Sequence, residues 1–287
     1  MGREERLILE LAGLRVELRG ERPQQLGVLS DYRSRSLTAD HVYTLELCDG
    51  LEPPTGEPIY RAADQWVFRR SGGPERYLGP VERGPEGAHI RIRREGSDAR
   101  ITYRRTGELR AVTPKLLLNA LELPHLLTIH EGFLLHAAFI EHGGRAILFT
   151  APSETGKSTQ ARLWCDHAGA ELVNGDRAAV RIMDGEVFAC GVPISGSSPV
   201  RRNVTLPLAA IVYLSQAPEN SITRLRGVRA FRRVWEGCTV NIWDRTDVEK
   251  ATKTVSEAVS RIPVYHLACT PDVRAVELLK HTMEVEK

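Results

Sequence analysis

The uncharged run Ala146-Ile147-Leu148-Phe149-Thr150 leads directly into Ala151-Pro152-Ser153-Glu154-Thr155-Gly156-Lys157-Ser158-Thr159, and a helical pattern follows. No other segment constrains the fold as tightly, because strand, tight loop and helix must succeed one another with Gly-Lys-Ser-Thr at the turn. This is the context a phosphate-binding loop requires. Its backbone N–H groups would point inward as an anion nest, and the helix N-terminus would add positive potential. Lys157 would reach the β and γ phosphates of a nucleoside triphosphate, and the Ser158 hydroxyl would ligate magnesium. Ser153, Glu154, Thr155, Gly156 and Thr159 complete the nucleotide-contacting set. Ala151 stands where the pattern G-x-x-x-x-G-K-[ST] has its first glycine, and a methyl group there costs little only if that residue keeps a negative φ. At the loop tip, a Glu154 carboxylate repels phosphates unless it turns outward or toward a metal. The bland alternative is a chance Gly-Lys-Ser-Thr in an ordinary strand-to-helix turn.

The 287 residues suggest two domains at roughly 150 residues each. With 42% apolar and 26% charged residues, a real core is expected. From Leu7 to Arg110, short segments alternate apolar and polar residues, as in His41-Val42-Tyr43-Thr44-Leu45-Glu46-Leu47 and Gln65-Trp66-Val67-Phe68. Turn residues such as Asp49-Gly50 and Gly72-Gly73-Pro74 separate them. Such period-two runs read as antiparallel β. After Thr113-Pro114 the spacing of Leu116, Leu117, Leu121, Leu126, Leu127 and Ile129 becomes helical, with a break at Pro124. We therefore place a β-rich domain at 1–112 and a second domain at 113–287. In the second, strands are expected at Phe133 to Ile140, Ala146 to Thr150, Glu171 to Val173, Ala179 to Phe188 and Ala209 to Leu214. Helices are expected at Lys157 to Ala168 and from Thr270 or Pro271 onward. That alternation is an α/β or α+β pattern.

The net charge of +2 argues against nucleic acid or an anionic membrane as a general partner. It hides two segments whose basic residues are all arginine. Arg69 to Arg110 carries 11 Arg against 6 acids, and Val200 to Arg233 carries 7 Arg against 1. In the first, a solvated strand face is the plain reading, since no aromatic ladder accompanies the charges. In the second, Arg201 and Arg202 suit a transferring phosphate or an anionic substrate, against the alternative of solvated arginines. Trp164, Trp235 and Trp243 read as packing residues. Five widely spaced cysteines show neither a disulfide framework nor zinc spacing. The charged beginning of the chain lacks a signal-peptide core, and no apolar run approaches membrane length. A soluble protein of a reducing, cytoplasmic compartment is expected, without a membrane partner.

The loop and its surroundings resemble the HPr kinase and phosphoenolpyruvate carboxykinase-like P-loop kinases. The likeness is carried by His136, 15 residues before Ala151, by Ser153 inside the loop, and by the short strand Glu171-Leu172-Val173-Asn174-Gly175-Asp176. It continues in Asp184-Gly185-Glu186-Val187-Phe188 and Gly191-Val192-Pro193-Ile194-Ser195-Gly196. It spans about Leu116 to Leu279 and implies a P-loop kinase domain behind the β-rich one. Some proteins of this kind phosphorylate precursor peptides such as lasso peptides. The family's acidic pair is here Gly175-Asp176, so one carboxylate is present where the resemblance implies two.

Asp176 corresponds to the magnesium-binding member. A short apolar strand ending in Asp beside such a loop is also what a metal ligand looks like, against the alternative of a turn residue or an ion pair with Arg177. With the first Asp replaced, His136 is the candidate general base, although a histidine in Phe133-Leu134-Leu135-His136-Ala137-Ala138-Phe139 could equally be a satisfied core residue. The expected catalytic set is His136, Lys157, Asp176, Arg201 and Arg202, with Ser158 and Asp176 on the metal. The expected activity is Mg²⁺- and ATP-dependent transfer of a γ-phosphoryl group to a hydroxyl, on a peptide or protein serine. A small-molecule kinase and a nucleotide-binding regulatory module are the alternatives. The oligomeric state, homo-oligomer or not, stays open.

Overall fold

Half-buried alternation builds the first unit, Met1–Leu123, from eight strands. These are β1 Leu7–Leu11, β2 Leu14–Gly20, β3 His41–Cys48, β4 Glu57–Ala62, β5 Gln65–Arg69, β6 Glu75–Leu78, β7 Ile90–Glu95 and β8 Asp98–Arg104. They form one sheet in the order β1-β2-β3-β8-β7-β6-β5-β4. The computed structural model describes residues 6–21, 29–96, 98–105, 114–196 and 198–285, and the expected domain boundary at 112/113 lies outside them. The β1–β2 turn holds Ala12 and Gly13 at φ 54° and 76°, the double positive φ of a tight hairpin. Five neighbouring pairs of the sheet are antiparallel as expected, but β3 runs parallel to both β2 and β8. Alternation reports which face of a strand is buried and is silent about the direction of its neighbour.

The arginine-rich segment of this unit is solvated only in part: Arg69, Arg83, Arg104 and Arg105 are exposed, while others turn inward. Arg76, Arg91 and Arg94 are each only 6% exposed. Arg76 and Arg94 share Oε1 of Glu122 at 3.1 and 3.3 Å, Arg93 meets buried Glu75, and Arg91 meets Glu52 at 2.7 Å. Glu122 follows helix α1, Pro114–Ala120. Charges at such depth persist only when paired.

The second unit, Pro124–Lys287, continues helix α2, Leu123–Ile129, into a layered α/β arrangement. Its strands are β9 Gly132–His142, β10 Arg145–Thr150, β11 Glu171–Asn174, β12 Arg177–Met183, β13 Glu186–Gly191, β14 Thr205–Gln216, β15 Ser221–Leu225, β16 Cys238–Thr239 and β17 Val264–Cys269. Its remaining helices are α3 Lys157–Ala168, α4 Gly227–Trp235, α5 Arg245–Arg261 and α6 Val273–Val285. Proline at the second position of α2 accounts for the break expected at Pro124, since a first-turn proline gives up no hydrogen bond. Strands β10, β14 and β17 are mutually parallel neighbours.

Both faces of β10 are buried. Ile147 and Phe149 pack with Ala161 and Trp164 of α3 and Leu279 of α6, while Leu148 packs toward Ala230 and Val234 of α4 and Val255 of α5. A strand covered on two sides has to be apolar throughout, which explains the uninterrupted run from Ala146. The eleven-residue β9 and twelve-residue β14 each pass from one set of partners to another. β9 pairs with β12 over Gly132–His136 and with β10 over Ala137–His142. β14 pairs with β13 over Thr205–Pro207 and with β10 beyond. The switch in β9 falls at His136.

A buried polar knot ties α2 to α5. Asp247 accepts from Thr128 at 3.1 Å and Asn241 at 2.9 Å, and lies 2.8 Å from His125 Nδ1. Asp244 caps α5 through the N–H groups of Thr246 and Asp247. No helix among the described residues is long and apolar enough to cross a membrane.

Candidate active site

The loop after β10 takes a shape that its residue types permit. The positive-φ residues are Glu154, at 63°, and Gly156, at 115°. Ala151 is not among them, so its methyl group is accommodated without strain and sits buried. Ser153 and Glu154 are exposed at the tip, so the Glu154 carboxylate has room to turn outward. The Thr155 hydroxyl donates to the carbonyl of Pro152 at 2.9 Å. Lys157 opens α3, and its ammonium is folded back onto the loop, donating to the carbonyls of Ala151 at 3.0 Å and Pro152 at 3.1 Å. Burial, with Arg177 adding to it, lowers the Lys157 pKa, and Asp176 opposes the shift. Ser158 is exposed at the first turn and Thr159 half-buried beside it.

Next to the loop, the point where β9 changes partners brings His136 and Asp176 together. The His136 N–H donates to the carbonyl of Gly237 at 2.8 Å, and its carbonyl accepts from Thr150 Oγ1 at 3.0 Å. Gly237 fits because a Cβ there would come within 2.6 Å of Thr150 Oγ1. Asp176 returns its carbonyl to the N–H of Ala137 at 3.0 Å. Between the side chains, His136 Nδ1 lies 3.3 Å from Asp176 Oδ1. That is an ion-pair distance without the alignment of a hydrogen bond, and Nδ1 is buried with no hydrogen-bond partner. Burial lowers the His136 pKa, and Lys157 and Arg177 lower it further against the pull of Asp176. The shift favours the neutral imidazole.

Asp176 is held by its close neighbours in sequence, Asn174 and Arg177. The fully buried Asn174 accepts from the N–H groups of Asp176 at 2.9 Å and Arg177 at 3.0 Å, and donates to the carbonyls of Val192 at 3.0 Å and Ile194 at 2.9 Å. Arg177 places Nε 3.2 Å from Asp176 Oδ2 and donates to Thr239 Oγ1. Gly196 faces the carboxylate, where a Cβ would lie 3.0 to 3.1 Å from Asp176 Cβ, Cγ and Oδ1. At Gly175, where the family resemblance implies the first acid, a Cβ would meet Ser198 Cβ at 3.1 Å.

The two arginines of the expected set part company. Arg201 bridges by backbone to Asn174, and its Nε is buried without a partner. Arg202 is engaged by Glu171 at 2.8 Å and Glu141 at 3.4 Å, so its charge is already met by carboxylates. The ion pair of Asp176 with Arg177, weighed above as the alternative to a metal ligand, is present at 3.2 Å, whereas the roles of Asn174, Thr150 and Gly237 were not anticipated. Only Asn174 left a legible signal, since Asn-Gly-Asp is a side-chain-to-backbone turn sequence.

No protein-family description and no curated protein matches the chain. Among solved structures, the Hpr(Ser) kinase/phosphatase from Coxiella burnetii is similar to it with 13% identity and a TM-score of 0.31, over 54% of this chain and 99% of that one. A likeness at this level supports no statement about activity.

Proposed function

We propose that the chain is an ATP-dependent phosphotransferase that moves the γ-phosphoryl group to a hydroxyl, on a serine of a peptide or protein. The observation that carries the reading is the pairing, at one strand switch, of His136 and Asp176 beside a Gly-Lys-Ser loop that opens a helix. The loop amides and Lys157 hold the phosphates once the ammonium exchanges two carbonyls for phosphate oxygens. The donor set fits a magnesium ion. Asp176 would supply a carboxylate oxygen and Ser158 a hydroxyl, and the missing side chain at Gly196 leaves that side of the carboxylate open. When bound, the ion neutralises charge on the phosphates. His136, beside Asp176, accepts the acceptor's hydroxyl proton. One base suffices because phosphoryl transfer relies on positioning and charge stabilisation more than on strong deprotonation. Of the two arginines in the set, Arg201 keeps an Nε without a partner while Arg202 is held by carboxylates, so Arg201 is the one we assign to phosphate.

Incubation with radiolabelled ATP, Mg²⁺ and serine-containing peptides tests the reading. Transfer to a peptide is expected in the wild type, and Lys157→Ala is expected to abolish it. Full activity in that variant removes the site assignment. Transfer only to a free metabolite makes the protein a small-molecule kinase, and binding without transfer makes it a nucleotide-responsive module.

A further inference from the structure

The loop at 151–157 has two flanks of different chemistry. On one, β9 and β12 bring His136, Asp176 and Arg177. On the other, β14 runs parallel to β10, with Phe149 beside Val212 and Thr150 beside Tyr213, and carries its last residues past the loop. There a cavity of about 340 Å³ opens between loop residues 152–155 and strand residues 213–216. Its β14 wall is lined by Tyr213, Leu214, Ser215 and Gln216. Ser215 Oγ lies 2.8 Å from Nε2 of His266 on β17. The His266 ring meets Tyr213 edge-on at 5.6 Å. Arg233 of α4 lies over Tyr213, with Cζ 4.5 Å from the ring centre and Nη1 3.3 Å from its hydroxyl. Burial, with Arg233 adding to it, lowers the His266 pKa and keeps the ring neutral. Ser215 can then donate to Nε2 and keep its lone pairs for an incoming hydroxyl.

We propose that this cavity is a nucleoside subsite, taking the ribose and base of the donor triphosphate. Ser215, oriented by His266, and Gln216 bond the sugar, and Tyr213, braced by Arg233, backs it. The proposal rests on the ATP reading above. A triphosphate is a linear chain. If its γ end lies at His136 and Asp176, its α end and nucleoside leave by the opposite flank, along β14. Ligands of parallel sheets sit beyond the carboxyl ends of the strands, where β10, β14 and β17 all end here. The volume falls within the range of small-molecule pockets, and Ser215 and Gln216 on the cavity's β14 wall offer hydrogen-bonding groups to a sugar.

Titration calorimetry of the full chain with Mg²⁺ separates this proposal from the reading beneath it, with ATP and inorganic tripolyphosphate as probes. Ser215→Ala and the exposed Gln216→Ala are each expected to weaken ATP up to about tenfold, the scale of one hydrogen bond, and to leave tripolyphosphate affinity unchanged. Lys157→Ala is expected to weaken both probes. Unchanged ATP affinity in both wall variants overturns the subsite, as does an equal loss of both probes in Gln216→Ala. A raised KM for the peptide acceptor with ATP affinity intact also overturns it, and assigns the cavity to the acceptor. If the wild type binds tripolyphosphate and ATP equally well, the loop reading stands and the subsite falls. If it binds neither, the nucleotide reading falls first.

Discussion

Asp176 is fixed from three sides at once. Its N–H is held by Asn174, its Oδ2 by Arg177, and its Oδ1 faces His136 across 3.3 Å. Gly196 occupies the fourth side with no side chain, and a methyl group there would stand 3.0 to 3.1 Å from the carboxylate carbons and Oδ1. Contacts that close force a neighbour to give by a few tenths of an ångström, and the carboxylate is the mobile partner. Gly196→Ala is therefore expected to slow phosphoryl transfer by about ten- to a hundredfold, since sub-ångström to ångström misplacement of a catalytic group costs on that order. Melting temperature should barely change, because Gly196 is exposed in a turn. Labelled-ATP turnover beside a thermal melt reads both, and an undiminished rate would show that the reaction does not use the carboxylate where it stands. The same crowding bears on Gly175. A Cβ at Gly175 would stand 3.1 Å from Ser198 Cβ, so an acidic side chain there would require Ser198 to give by a few tenths of an ångström.

At the scale of elements, β6 and β7 carry arginines into the interior. Arg76 and Arg94 converge on Glu122, whose side chain is 1% exposed. Removing one member of a buried charge group leaves the others uncompensated, at a cost of about 3–5 kcal/mol. Glu122→Ala is expected to destabilise the first unit by that amount. Joint replacement of Arg76, Arg94 and Glu122 by apolar side chains of similar volume should cost far less, because no orphan charge remains. Chemical denaturation of the three proteins checks the pair of outcomes, and equal losses in both would show that volume and not charge sets the cost. This network was illegible in the sequence because Glu122 lies 46 residues from Arg76 and 28 from Arg94. Local patterning shows that arginines alternate with apolar residues, but not what they meet. Helix α5 escaped for another reason. Its buried positions Ala251, Thr254, Val255 and Ala258 are small or polar, so its apolar stripe is faint. By contrast, β10, the loop and α3 were legible because each states its own structure locally, as an apolar run, a glycine at positive φ and a helix start. The position of His136 was legible only as a spacing. What places it beside Asp176 is the switch of β9 between β12 and β10, a pairing that no local stretch encodes.

Across the whole molecule, several half-buried histidines make folding exclude protons. His89 in the first unit and His136 and His266 in the second all have lowered pKa values, with burial the largest cause in each. Arg104 adds to the shift at His89, Lys157 and Arg177 add to it at His136, and Arg233 adds to it at His266. In the unfolded chain each returns to about 6.5. Between that value and the lower folded ones the unfolded chain binds more protons, so the free energy of unfolding rises with pH there. The contribution is complete above about pH 6.5 and is lost as pH falls through the folded values. Glu17, Asp40 and Glu52 in the first unit, and Glu236 and Asp272 in the second, have lowered pKa values beside arginines. Their contribution is present above the ordinary carboxylate range and extends the loss to lower pH. Urea midpoints for both units should therefore fall from pH 7.5 to pH 5.5 and fall further toward pH 4. His266→Gln should flatten the first step for the second unit, since glutamine cannot take up the proton that the unfolded histidine binds. A midpoint that rises on acidification from 7.5 to 5.5 would mean that these imidazoles gain partners on protonation, and would remove the neutral His136 on which proton acceptance from the hydroxyl depends.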